Sequence, residues 1–155
     1  MSKYLITPEG YNKIKNELKI LKEEKRPNII NAISEARAFG DLSENTEYHA
    51  AKEKQRSIES KIKFLELQIS NSKIMQKNIK ADVISFGAMV TLKDIVNDKN
   101  AKYQIVGDYE SDIMKKKISI SSPLAKALVN KKVGDVVFVD LPNGLEKEYK
   151  ILEVS

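Results

Sequence analysis

The sequence predicts an α+β protein in two parts. A long antiparallel coiled-coil helical hairpin occupies residues 1–75, and a small β-sheet domain with one short helix occupies 83–155, with a linker at 76–82. Three observations predict it. Apolar residues recur at steps of three and four through most of the first half, the spacing of a helix that buries one stripe. That periodicity is interrupted once, at Gly40-Asp41-Leu42-Ser43-Glu44-Asn45-Thr46-Glu47-Tyr48. Beyond about residue 83, short β-branched runs separated by Gly, Pro and Asn take over.

Tyr4-Leu5-Ile6 reads as a short apolar clasp that packs on another part of the chain. Thr7-Pro8-Glu9 is a helix start, with Thr7 as N-cap and Pro8 at the first helical position. Tyr11, Ile14, Leu18 and Leu21 then mark one face, while Lys and Glu fill the others. Pro27 removes a backbone donor inside this run, so a kinked helix is expected, resuming at Ile29, Ile30, Ile33 and Ala36. Gly40 closes it as the C-terminal cap. The second arm shows the cleaner seam, Tyr48, Ala51, Gln55, Ile58, Ile62, Leu65 and Ile69. Arms running from Thr7 to Phe39 and from Ser43 to Ser72 would be roughly 50 and 45 Å long. A joint of about three residues between them makes the hairpin antiparallel.

Residues 74–82 read as a connector. Strands follow at 89–92, 102–106, 118–120, 136–139 and 148–152. Ser122 and Pro123 start the short helix as N-cap and first residue, and Pro142-Asn143-Gly144 makes a hairpin turn.

Composition narrows the class. Charged residues are 32% of 155, with a net charge of +5, which suits a soluble protein and permits a polyanionic partner. No cysteine is present, so disulfides and thiolate metal sites are excluded and a reducing cytoplasm is expected. No apolar run approaches a membrane span.

The interruption carries the chemistry. Asp41, Glu44 and Glu47 recur every third residue and share roughly one face of a helix that has begun. One reading is structural: an acidic capping box, with Asp41 as N-cap and Glu44 reaching back. The other is functional. Carboxylates at a hairpin tip can hold magnesium weakly, leaving its other positions to water and phosphate oxygens, and so complete a metal site in a partner.

The tip, from Glu35-Ala36-Arg37 through Gly40-Asp41-Leu42-Ser43-Glu44-Asn45-Thr46-Glu47-Tyr48-His49-Ala50-Ala51-Lys52-Glu53, resembles that of the bacterial Gre transcript cleavage factors. Leu5-Ile6-Thr7-Pro8-Glu9-Gly10, Arg26-Pro27, Ile105-Val106-Gly107-Asp108 and Ile118-Ser119-Ile120-Ser121-Ser122-Pro123-Leu124-Ala125 match as well, so the likeness covers essentially the whole chain. Thr46 departs from it, standing where alanine is common. The absence of a dense basic tract along the rod favours the less basic branch.

The resemblance implies an FKBP-like second domain and a cytoplasmic, monomeric partner of bacterial RNA polymerase that docks at the rim of the secondary channel. It implies insertion of the coiled coil toward the 3′ end of backtracked nascent RNA, and stimulation of the polymerase's own endonuclease. Such a factor is not itself an enzyme, has no cofactor of its own and meets DNA only through the transcription complex. Asp41 and Glu44 take the places of the catalytic acids that share magnesium with polymerase. Arg37 and Lys52 are candidates for RNA phosphates, and Ser122 and Pro123 for polymerase docking. Tyr48 is expected to pack in the seam, and His49 to be structural. Three rivals stay open: a channel regulator that inhibits, a prefoldin-like chaperone arm, and an isomerase built on the aromatic residues of the second half.

Overall fold

The computed structural model describes residues 3–41, 44–76 and 83–155; Leu42 and Ser43 of the tip motif and 77–82 of the linker lie outside the described residues. Contacts divide the chain into two compact units, Met1–Gly10 with Ser72–Ser155, and Tyr11–Asn71. The sequence division at 75 and 83 differs because both ends of the helical segment carry strands. Tyr4–Ile6 (β1) and Ser72–Ile74 (β2) pair in parallel, with Tyr4 opposite Ser72 and Ile6 opposite Ile74. The expected clasp is thus a strand, and part of the expected connector is its partner.

Pro8–Ile20 (α1), which runs into the helical unit from Tyr11, passes into a π-helical turn at Leu21–Lys25 and then Arg26–Arg37 (α2). Ile20, Lys25 and Arg26 all keep right-handed helical angles, so the path is continuous. Pro27 falls in the first turn of α2, and the Arg26 N–H reaches back to the Leu21 carbonyl. The wider turn takes up the break that a proline makes in the ordinary ladder.

Thr46–Ser70 (α3) is the second arm, 25 residues and about 37 Å of helix. It begins at Thr46, not at Ser43, so residues 38–45 join the arms and the connection is longer than the expected three residues. Arg26 meets Glu59 through two bonds of 2.8 Å, and Lys22 meets Glu66 at 2.7 Å. Asn45 reaches Ala36, so these partners run in opposite directions along the two arms. Ile29, Ala51, Ile58 and Ile62 form the core, with Leu18, Leu21, Ala32 and Ile33 against it. The seam matches the heptad reading through Leu65, then drifts so that Gln68 is buried and Ile69 only half-buried. A straight helix of 3.6 residues per turn drifts in this way against a 3.5 repeat.

The sheet of the other unit contains Met89–Asp94 (β3), Lys99–Val106 (β4), Lys117–Ser119 (β5), Val136–Asp140 (β6) and Glu146–Val154 (β7). Its order is β5-β4-β3-β7-β6, antiparallel except for β4 with β5. All five strands stand where the alternation puts them, and a register shift between Thr91 and Leu92 marks a bulge against β7. Pro123–Leu128 (α4) buries Ala125 and Leu128 in a core with Ile84, Val90, Leu92, Ile105, Val137 and Ile151.

One cluster anchors the N-terminal segment within this unit. The Glu110 carboxylate accepts the Thr7 N–H at 3.0 Å, the Gly107 N–H at 2.9 Å and the Thr7 hydroxyl. Thr7 Oγ1 in turn accepts the Gly10 N–H at 3.0 Å, which caps α1 as the sequence predicts. Gly107 is required by space, not by its angles, because φ is −72° and a Cβ there would collide with the Leu5 carbonyl oxygen. Gly107→Ala is therefore expected to destabilise the β-sheet unit by about 1–3 kcal/mol. Thermal unfolding measures this, and an unchanged midpoint would show that β1 is not held as described.

Candidate functional site at the hairpin turn

The end of α2 is built from ordinary local rules. Ala38 and Phe39 donate to Glu35 and Ala36 at 3.1 and 3.2 Å, and Gly40 follows at φ +120°, a conformation that side chains other than glycine rarely adopt. The start of α3 corrects the capping-box reading. Asn45 is the N-cap: its Oδ1 accepts the Tyr48 N–H at 3.0 Å, and its Nδ2 donates to the Ala36 carbonyl at 2.7 Å. Asp41 stands four positions before Asn45, outside the helix, and Glu44 precedes the cap.

Asp41, Glu44 and Glu47 are all exposed. They line one open recess with Phe39, Asn45 and Thr46. The two acids that sequence singled out are thus brought together, with a third beside them. Among the described residues no group of three His, Asp or Glu side chains is arranged to hold a metal ion.

Arg37 and Lys52 meet in a second recess, lined also by Ile30, Ile33, Ser34 and Gln55. The seam placed Ile30 inside, but it is 49% exposed and forms an apolar floor near these cations. Tyr48 is half-buried with its ring edge-on to His49, whose side chain is exposed.

Ser122 and Pro123 lie in the other unit. Ser122 caps α4, its Oγ accepting the Ala125 N–H at 3.2 Å, and Pro123 is exposed at the first turn. The approach to this cap is held by Asp108, whose carboxylate accepts the Ser119 hydroxyl and, at 2.7 Å, that of Ser121. These donors, Ser119 foremost, hold the Asp108 carboxyl below its ordinary range. Two of the matching motifs of the second half are therefore one hydrogen-bonded unit.

Sequence reasoning missed Asn45, Phe39 and Glu110. Asn45 had a signal, since Asn is among the best N-caps and a helix could start at Thr46. Phe39 had none, because an aromatic before a glycine reads as a helix end. Glu110 had none either, because Thr7, the partner it ties down, lies 103 residues away.

A hairpin that displays exposed carboxylates around a turn, carried with a small helix-capped sheet, defines the class of protein. The family description "Transcription elongation factor, N-terminal" matches residues 4–74, and "Transcription elongation factor, GreA/GreB, C-term" matches 79–155. The chain belongs to the GreA/GreB family of transcription elongation factors. It is 49% identical over 152 residues to transcription elongation factor GreA of Xanthomonas axonopodis pv. citri, covering 97% of this chain and 96% of that one. It is 50% identical over 158 residues to GreA of Thioalkalivibrio sulfidiphilus, covering 100% and 99%. Among solved structures, GreA factor homolog 1 of Thermus thermophilus is similar at 27% identity and a TM-score of 0.44, covering 99% of each chain.

The cap assignment is directly testable. Asn45→Ala should cost about 1 kcal/mol of stability, read as a lowered helical melting midpoint. Glu44→Gln should shift the midpoint by less than half of that. Equal losses from both would return Glu44 to a capping role.

Proposed function

We propose that this chain is a transcript cleavage factor: its hairpin enters the secondary channel of bacterial RNA polymerase and stimulates cleavage of the extruded 3′ end of backtracked RNA. The observation that supports it best is the division of labour at the turn. Asn45 takes the N-cap of α3, and the carboxylates of Asp41 and Glu44 stand exposed in one recess beside it.

Those side chains fit magnesium chemically. They are hard oxygen donors in an open recess, and magnesium characteristically takes one or two carboxylates and fills its other positions with water and phosphate oxygens. Asp41 and Glu44 would hold the ion jointly with polymerase. When bound there, magnesium would neutralise developing charge and activate water for phosphodiester cleavage. The chain's own contribution is to deliver and orient two carboxylates. Exposed carboxylates repel RNA, so a cation held with a partner is what makes their position productive.

Arg37 and Lys52 support the same reading, since two cations in one recess behind the tip can receive backbone phosphates without regard to sequence. Exposed Pro123, beside the Asp108-held approach to α4, is the proposed docking edge with Ser122.

Backtracked elongation complexes with labelled RNA test the proposal. Wild-type protein should accelerate release of short 3′ fragments in magnesium. Asp41→Asn or Glu44→Gln should reduce that stimulation at least 100-fold, about 3 kcal/mol of transition-state stabilisation, while still competing with wild type for polymerase. Binding without stimulation by wild type would favour an inhibitory channel regulator, and no binding would overturn the proposal.

A further inference from the structure

Among the described residues of the turn, Phe39 is the large apolar side chain that no core claims. It is 79% exposed, whereas Ala36, three residues earlier, is 4% exposed. Water contact at an aromatic of this size forfeits much of the burial such rings ordinarily contribute. Its place is specific: the ring lines the same recess as Asp41, Glu44 and Glu47. That recess measures about 480 Å³, within the range of small-molecule sites.

Charge determines what the ring can meet there. Three carboxylates disfavour a bare phosphate, and the Asn45 amide is engaged through both its oxygen and its nitrogen. A nucleobase has a neutral face that stacks on an aromatic ring whatever its sequence identity. The phenyl ring offers this contact without a counterion. A chaperone-like role would need a broader apolar patch, and the other lining residues of this recess are polar or acidic.

We infer that Phe39 stacks on the base of the extruded RNA 3′ nucleotide and so holds the chain end beside Asp41 and Glu44. The contact rests on the cleavage-factor reading for its substrate. It is a positioning contact, tolerant of base identity, and needs a flat aromatic face, not simply an apolar side chain.

The test uses the full chain and backtracked complexes carrying 2-aminopurine at the RNA 3′ end. With magnesium omitted, wild type and Phe39→Tyr should quench the fluorescence by stacking, and Phe39→Leu should not. With magnesium added, Phe39→Leu should slow fragment release by roughly 10- to 100-fold, the range of one lost base stack. Phe39→Tyr should stay within about 3-fold of wild type, and all three should compete equally for polymerase. Wild-type quenching and release from Phe39→Leu would overturn the stacking contact and leave the cleavage reading in place. Quenching by wild type and Phe39→Tyr but not Phe39→Leu, without stimulated release, would do the reverse. Neither signal from wild type would overturn both.

Discussion

The side-chain amide of Asn45 fastens the turn to both arms at once. Its oxygen takes the Tyr48 N–H at the start of α3, and its nitrogen donates to the Ala36 carbonyl at the end of α2. One residue thus satisfies an orphan donor of one helix and an orphan acceptor of the other, which together fix the spacing of the two ends. Ala36 is buried and small, so the arms can approach closely there. Phe39, Asp41, Glu44 and Glu47 line one open recess with this residue, and all four side chains are exposed.

The other unit uses carboxylates to hold its backbone together. Glu110 and Asp108 stand together in one short 3-10 turn, and each carboxylate is held by donors. Glu110 holds Thr7 and Gly107, and Asp108 holds Ser119 and Ser121. These acids organise structure, closing the first helix start and shaping the path into α4.

This is also why the sequence was legible in some places and not in others. The α3 seam, the five strands, the Thr7 and Ser122 caps and the glycine after α2 follow from periodicity and local backbone chemistry, which act within a few residues. The pairing of β1 with β2 does not, because two three-residue strands separated by the whole hairpin carry no periodic signal. Asp-x-x-Glu at 41–44 looked like a capping box on pattern alone. The structure overturns that at Asn45, since a helix can begin at any of several adjacent good caps and only the geometry of the turn chooses between them. The meeting of Arg37 and Lys52 in one recess depends on the two arms forming a hairpin, which the sequence predicted. The exposed ring of Phe39 depended on where α2 ends, which it located only to within a residue or two.

The central claim is that the exposed acids at the turn serve the chemistry of a partner's metal site. The most direct measurement is the magnesium dependence of RNA fragment release from backtracked complexes, with saturating wild-type protein and with the Asp41→Asn, Glu44→Gln double variant. Shared ligation predicts that wild type lowers the magnesium concentration for half-maximal release, and that the double variant leaves it where it stands for polymerase alone. An equal downward shift from the double variant would contradict the account, because the carboxylates would then not be the ligands.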